Sequence, residues 1–145
     1  MKEAFINHHN IISSLGFTSE ANFEQLIREN SGIKKYQRDN NDVYYSSKVD
    51  LEKVNTAFNK IGDSDSYTLL ERMMILSVNT ILKSSGFKIT KRTGLVIATT
   101  KGNVDTLSPT SKFNREIKRS YLYELGNQIK DFFNFKNEAI VLSNA

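Results

Sequence analysis

Few residues in this chain could do chemistry by their type and spacing. His8 and His9 are adjacent, near the start. A metal pair needs both imidazoles on one side, but neighbouring residues of a strand face opposite ways. One is expected in the core and one outside, and no metal site is expected. Asp39, Asp42, Asp63 and Asp65 stand among Asn, Ser and Gly residues. They read as loop and capping carboxylates rather than as an acid/base pair. Thr99, Thr100 and Gly102 could cradle a phosphate, but one glycine is too little for such a loop, so a plain strand-to-loop exit is expected. Met73-Met74 lies on an apolar stripe and reads as core packing. Cysteine is absent, which removes disulfides, thiolate catalysis and Cys-ligated zinc from these residues.

The elements that must position these groups come from a chain of 145 residues, long enough for one domain with a hydrophobic core. Hydrophobic residues make up 39% and charged residues 25%, as in a soluble globular protein. The apolar stretches at Met73–Leu76 and Ala139–Leu142 are far too short to span a bilayer. No basic segment with an apolar core opens the chain, so no secretory signal is expected. With no cysteine, a cytoplasmic location is the expectation. The net charge of +4 suits an acidic protein partner. The basic residues are scattered, and nucleic acid is not expected as a partner.

Periodicity and punctuation predict an alternation of strands and helices. Ala4–Ile12 reads as an opening strand. A helix is predicted from Ser19, as N-cap, to Asn30, with Phe23, Leu26 and Ile27 on one face and Gly32 as a left-handed exit. A polar loop at Gln37–Asp42 leads to a short strand at Val43–Tyr45. Asp50–Lys60 reads as a short helix with Leu51, Val54 and Phe58 on one side. A long helix is predicted from Tyr67 to Ser84, capped by Ser66 and ended by Gly86. Its wide apolar stripe predicts deep burial. Gly94–Thr99 is a β-branched strand. A loop at Lys101–Lys112, a helix at Arg115–Phe133 and a buried strand at Ala139–Leu142 complete the order. The predicted class is α/β, with a mainly parallel sheet and flanking helices.

Several ordered motifs carry a resemblance. Leu15-Gly16-Phe17-Thr18, Phe23-Glu24-Gln25-Leu26-Ile27 and Asn30-Ser31-Gly32-Ile33 resemble a "T-P-L-G" turn, an "F-W-E-A-L" helix and a "G-x-S-G-I" exit. Ser46-Ser47-Lys48-Val49-Asp50 is similar to "A-x-K-V-D". The helix with Glu71-Arg72-Met73-Met74 looks like a "D-R-x-x-x-x-A-L-x-A-A" helix. Arg92 to Ile97 resembles "R-x-G-V-V-I-G-T". Ile140-Val141-Leu142-Ser143-Asn144-Ala145 resembles the strand entering a nucleophile turn, "T-A-C-A-S" or "S-N-A-C-I-S-G". In this order, the motifs resemble the N-terminal part of the β-ketoacyl-acyl-carrier-protein synthases. Two departures stand out. Ala98 to Asn103 replaces a glycine-rich "G-T-G-x-G-G", and Asn7-His8-His9-Asn10 replaces small residues.

The resemblance implies a thiolase-like fold, with residues 1–145 as an incomplete synthase N-terminal domain whose second half is absent. It implies an acyltransferase performing decarboxylative Claisen condensation of an acyl thioester with malonyl-carrier protein, in fatty acid or polyketide or aryl-polyene-type biosynthesis. The nucleophilic cysteine is then expected directly after Ala145, with Ser143, Asn144 and Ala145 on the strand leading to it. The family's histidines lie downstream, so none of these residues is expected to be catalytic and no condensation is expected from the chain alone. No resident cofactor is implied, because the phosphopantetheine arm arrives on the acyl-carrier protein. The implied partners are that carrier protein and a second copy or a synthase-like subunit. A catalytically silent, partner-binding subunit is the alternative.

Overall fold

The computed structural model describes residues 3–143. Four helices and four short strands follow one another: α1 (Ser19–Ile27), β1 (Ile33–Gln37), β2 (Val43–Ser47), α2 (Leu51–Phe58), α3 (Leu69–Ser85), β3 (Val96–Ala98), α4 (Leu122–Phe133) and β4 (Ile140–Leu142). Between β3 and α4 the chain makes two 3-10 turns, Val104–Leu107 and Ile117–Ser120.

The class is α/β, but the strands do not join into one mainly parallel sheet. β1 and β2 form an antiparallel hairpin, while β3 and β4 pair in parallel with Val96 opposite Ile140 and Ala98 opposite Leu142. The predicted opening strand accounts for the difference. Ala4–Ile12 forms no strand, and its Phe5 and Ile6 are exposed. Its polar centre is used otherwise: the Asn10 side chain donates to the Phe17 carbonyl at 3.2 Å and to the Ser77 hydroxyl at 3.1 Å. A strand the prediction omitted, β1, is polar and open on both faces, so alternation of apolar residues does not mark it.

Helix boundaries follow local capping chemistry. Thr18, not Ser19, caps α1 and accepts from the Ala21 backbone N–H at 3.1 Å. Glu29, not Gly32, takes the left-handed conformation after it, at φ 57°. Gly32 answers a different need: a Cβ there would lie 2.1 Å from the Ser14 hydroxyl oxygen. Asp50 caps α2. Thr68, not Ser66, caps α3 in a capping box with Glu71, and Gly86 ends it at φ 65°. The predicted helix from Arg115 is shorter, because residues before Leu122 form the second 3-10 turn.

The core lies between α2, α3, α4 and the inner face of the β3–β4 pair. Val54, Phe58, Ile75, Leu76, Ile97, Leu125 and Ile129 form it. Each such side chain contributes roughly 1.5–3 kcal/mol by leaving water. Phe58, Tyr67 and Phe132 close one end as an aromatic trio with centroids 5.3–5.8 Å apart. Leu51 does not join Val54 and Phe58 and stays exposed. On α3, only Ile75 and Leu76 of the apolar stripe are fully buried; the rest are half-buried.

Candidate functional site

β3, α4 and β4 together position the candidate site. Two parallel strands require a crossover, and α4 lies in that connection. Gly126 lets α4 approach β4 closely, since a Cβ there would meet Val141 Cγ2 at 2.8 Å and Ala139 Cβ at 3.0 Å. The ladder continues past β3, where the Thr99 backbone N–H donates to the Leu142 carbonyl at 3.0 Å. Beyond it an open cleft of about 670 Å³ is lined by Ala98, Thr99, Thr100, Leu142 and Ser143. The cleft lies at the carboxyl ends of parallel strands, the edge where open α/β sheets bind ligands. Gly102 turns the chain away from it with φ 55°, and its backbone N–H donates to the Thr99 hydroxyl at 3.0 Å.

Ser143 is exposed and stands at this edge. Asn144 and Ala145 lie outside the described residues. β4 is not the buried strand that its composition predicts: Ile140 and Leu142 are 57% and 52% exposed. Val96, opposite Ile140, is exposed as well. The β3–β4 pair therefore buries one face, through Ile97, and opens the other. The cleft offers hydroxyl and backbone groups, and none of its lining side chains is ionisable. The described lining residues can hold a polar ligand by hydrogen bonds and supply no acid or base themselves.

The other sequence candidates stay apart. His8 and His9 are both exposed, and His9 Nδ1 lies 2.8 Å from the Ser19 hydroxyl. Asp63 accepts from the Ser66 hydroxyl at 2.7 Å and from the Asp65 backbone N–H at 3.0 Å, and these bonds hold its carboxyl below the ordinary value. Asp65 pairs with Lys112 at 2.6 Å on the surface. Asp42 accepts from the Asn40 side chain at 2.6 Å. Among the described residues, no three His, Cys, Asp or Glu side chains group as a metal site. No helix among them is long and apolar enough to cross a membrane.

One buried polar cluster escaped the sequence reading. Glu71 is fully buried, and Arg119 Nη2 donates to its Oε2 at 2.5 Å. Asn103 Nδ2 donates to Glu71 Oε1 at 2.8 Å, and the Thr68 backbone N–H donates to Oε2 at 2.9 Å. The Thr68 hydroxyl donates to Asn103 Oδ1 at 2.8 Å. Arg119 also donates to the Ser66 carbonyl at 3.2 Å and lies over the Phe113 ring. Burial pushes the Glu71 carboxyl above its ordinary value, against the opposing pull of the Thr68 N–H and Arg119. Asn103 lies three residues beyond Thr100, so the cluster ties the segment leaving the cleft to the start of α3. The capping-box spacing of Thr68 and Glu71 was its one legible signal.

Comparisons with protein-family models, with curated proteins and with solved structures find no match to this chain.

Proposed function

We propose that the chain is the N-terminal α/β portion of a β-ketoacyl synthase-like protein, and that the β3–β4 cleft receives the phosphopantetheine thioester carried by an acyl-carrier protein. What carries the reading is the parallel pair β3–β4, open at its carboxyl end and apolar on its uncovered face. Parallel sheets are ordinarily covered on both faces. Val96, Ile140 and Leu142 therefore leave an apolar surface that the second half of a thiolase-like fold would cover. The strand bearing Ser143 supplies what the resemblance needs: a β-strand whose carboxyl end meets an open cleft. A nucleophile at such a turn gains acidity from the following helix N-terminus.

The 145 residues contain no cysteine. In this reading they bind and position, and the thioester-forming step belongs to a cysteine outside them. A silent partner-binding subunit is the second reading; the described residues that line the cleft, Ala98, Thr99, Thr100, Leu142 and Ser143, are binding groups rather than acids or bases.

Two assays test the proposal together. The chain should be retained on immobilised holo-acyl-carrier protein at low salt and released as salt rises. Incubation with labelled acyl- and malonyl-carrier protein should yield no 3-ketoacyl product. Retention on a nucleic-acid column alone, or product formation, would overturn it.

A further inference from the structure

A second cleft lies on the β1–β2 hairpin and shares no lining residue with the β3–β4 cleft. The register of the hairpin puts Lys34, Tyr36, Tyr44 and Ser46 on one face. Tyr36 and Tyr44 stack with centroids 5.5 Å apart. Lys48 Nζ lies 4.0 Å from the Tyr36 centroid and donates to the Tyr44 hydroxyl at 3.1 Å. Arg38 lies over the Tyr44 ring at 5.4 Å. The face thus carries three cations, Lys34, Arg38 and Lys48. None of them pairs with a carboxylate among the described residues.

Where this face meets the end of α1, a cleft of about 300 Å³ opens. Ser14, Gln25, Ser31, Gly32, Lys34 and Lys48 help to line it, and no carboxylate does. The shape has a local cause. Gly32 passes so close to Ser14 that any side chain would collide, and the Ser14 and Ser47 hydroxyls meet at 2.5 Å behind it. The backbone N–H groups of Ser31 and Gly32 donate to no group among the described residues. The Lys48 ammonium held against Tyr36 and Tyr44, the Lys34 ammonium, serine hydroxyls and free N–H groups offer more donors than a single carboxylate can accept. A phosphate monoester, with three terminal oxygens and up to two charges, uses them better.

We infer that this cleft binds a small phosphomonoester. The site does not rest on the synthase reading. Its test is a titration of the full chain with inorganic phosphate at constant ionic strength, followed by amide chemical shifts. Saturating shifts at Ser14, Ser31, Gly32 and Lys34 are expected. Lys34→Gln should weaken binding about ten-fold, as the loss of one charge-assisted contact does. Lys34 makes no side-chain bond, so this variant keeps the hairpin, whereas Lys48 is part of its packing. Lys35→Gln, on the opposite hairpin face, should leave the affinity unchanged. Shifts that rise without saturating, or that survive Lys34→Gln, overturn the inference. Pelleting with phosphatidic acid vesicles, without a response to soluble phosphate, overturns it in favour of a membrane surface.

Discussion

The Arg119 guanidinium lies 2.5 Å from the Glu71 carboxylate inside the protein, although 48 positions separate them in sequence. Both groups are largely withdrawn from water: their side chains are 9% and 0% exposed. The pair couples the start of α3 to the turn that precedes α4, and so holds the segment between β3 and α4 in place.

Breaking this pair from one side should be costly. Arg119→Met leaves Glu71 buried with one bond fewer, and such losses run to about 3–5 kcal/mol. Replacing both residues, as Glu71→Leu with Arg119→Met, removes the orphaned charge and should cost less than the sum of the single changes. Urea unfolding of the four proteins measures the cycle. Additive effects would mean that the two groups do not communicate.

The same pair gives a pH signature. Burial raises the folded value of Glu71 above the ordinary 4.5. Only in the interval between the unfolded and folded values does the folded protein keep a proton that the unfolded chain releases. Stability from this group is full below the unfolded value and is lost as pH rises through the folded one. The stability difference between the native protein and Glu71→Gln should therefore shrink as pH rises from below 4.5. A difference that grows with pH would show the opposite shift.

Gly126 sets two effects against each other. Alanine is better than glycine in a helix by roughly 1 kcal/mol. A Cβ at this position would crowd Val141 at 2.8 Å and Ala139 at 3.0 Å, and such overpacking costs roughly 1–3 kcal/mol. Crowding should win, so Gly126→Ala should destabilise by about 1 kcal/mol. Thermal unfolding reads the sign. A stabilised variant would mean that α4 can move away from β4 at little cost.

Helices were legible where apolar spacing and caps coincide. Val54 and Phe58 on α2, Gly86 after α3, and Leu125 and Ile129 on α4 lie as their spacing predicts. Strands were less so. The opening segment has the apolar ends of a strand, but pairing partners for its backbone are a tertiary matter. β1 is as polar as a loop and exists because β2 pairs with it across the Asp39-Asn40 turn. The exposure of β4 depends on what covers its outer face, which its own residues do not encode. The Glu71 cluster joins segments 32 to 53 residues apart, and its Thr68 cap is local. Ser143 stands at the carboxyl edge of the β3–β4 pair. Thr99 and Thr100 leave β3 as the strand-to-loop exit their sequence predicts, and they line the same cleft.

The central claim is that the β3–β4 cleft takes a pantetheine arm. Titrating the chain with pantetheine lacking its phosphate, while following amide shifts, tests it most directly, because the hairpin cleft should not respond to that probe. Saturating shifts at Thr99, Thr100, Leu142 and Ser143 are predicted, with the β1–β2 amides unmoved. No shift at those four positions, or shifts confined to another surface, would contradict it.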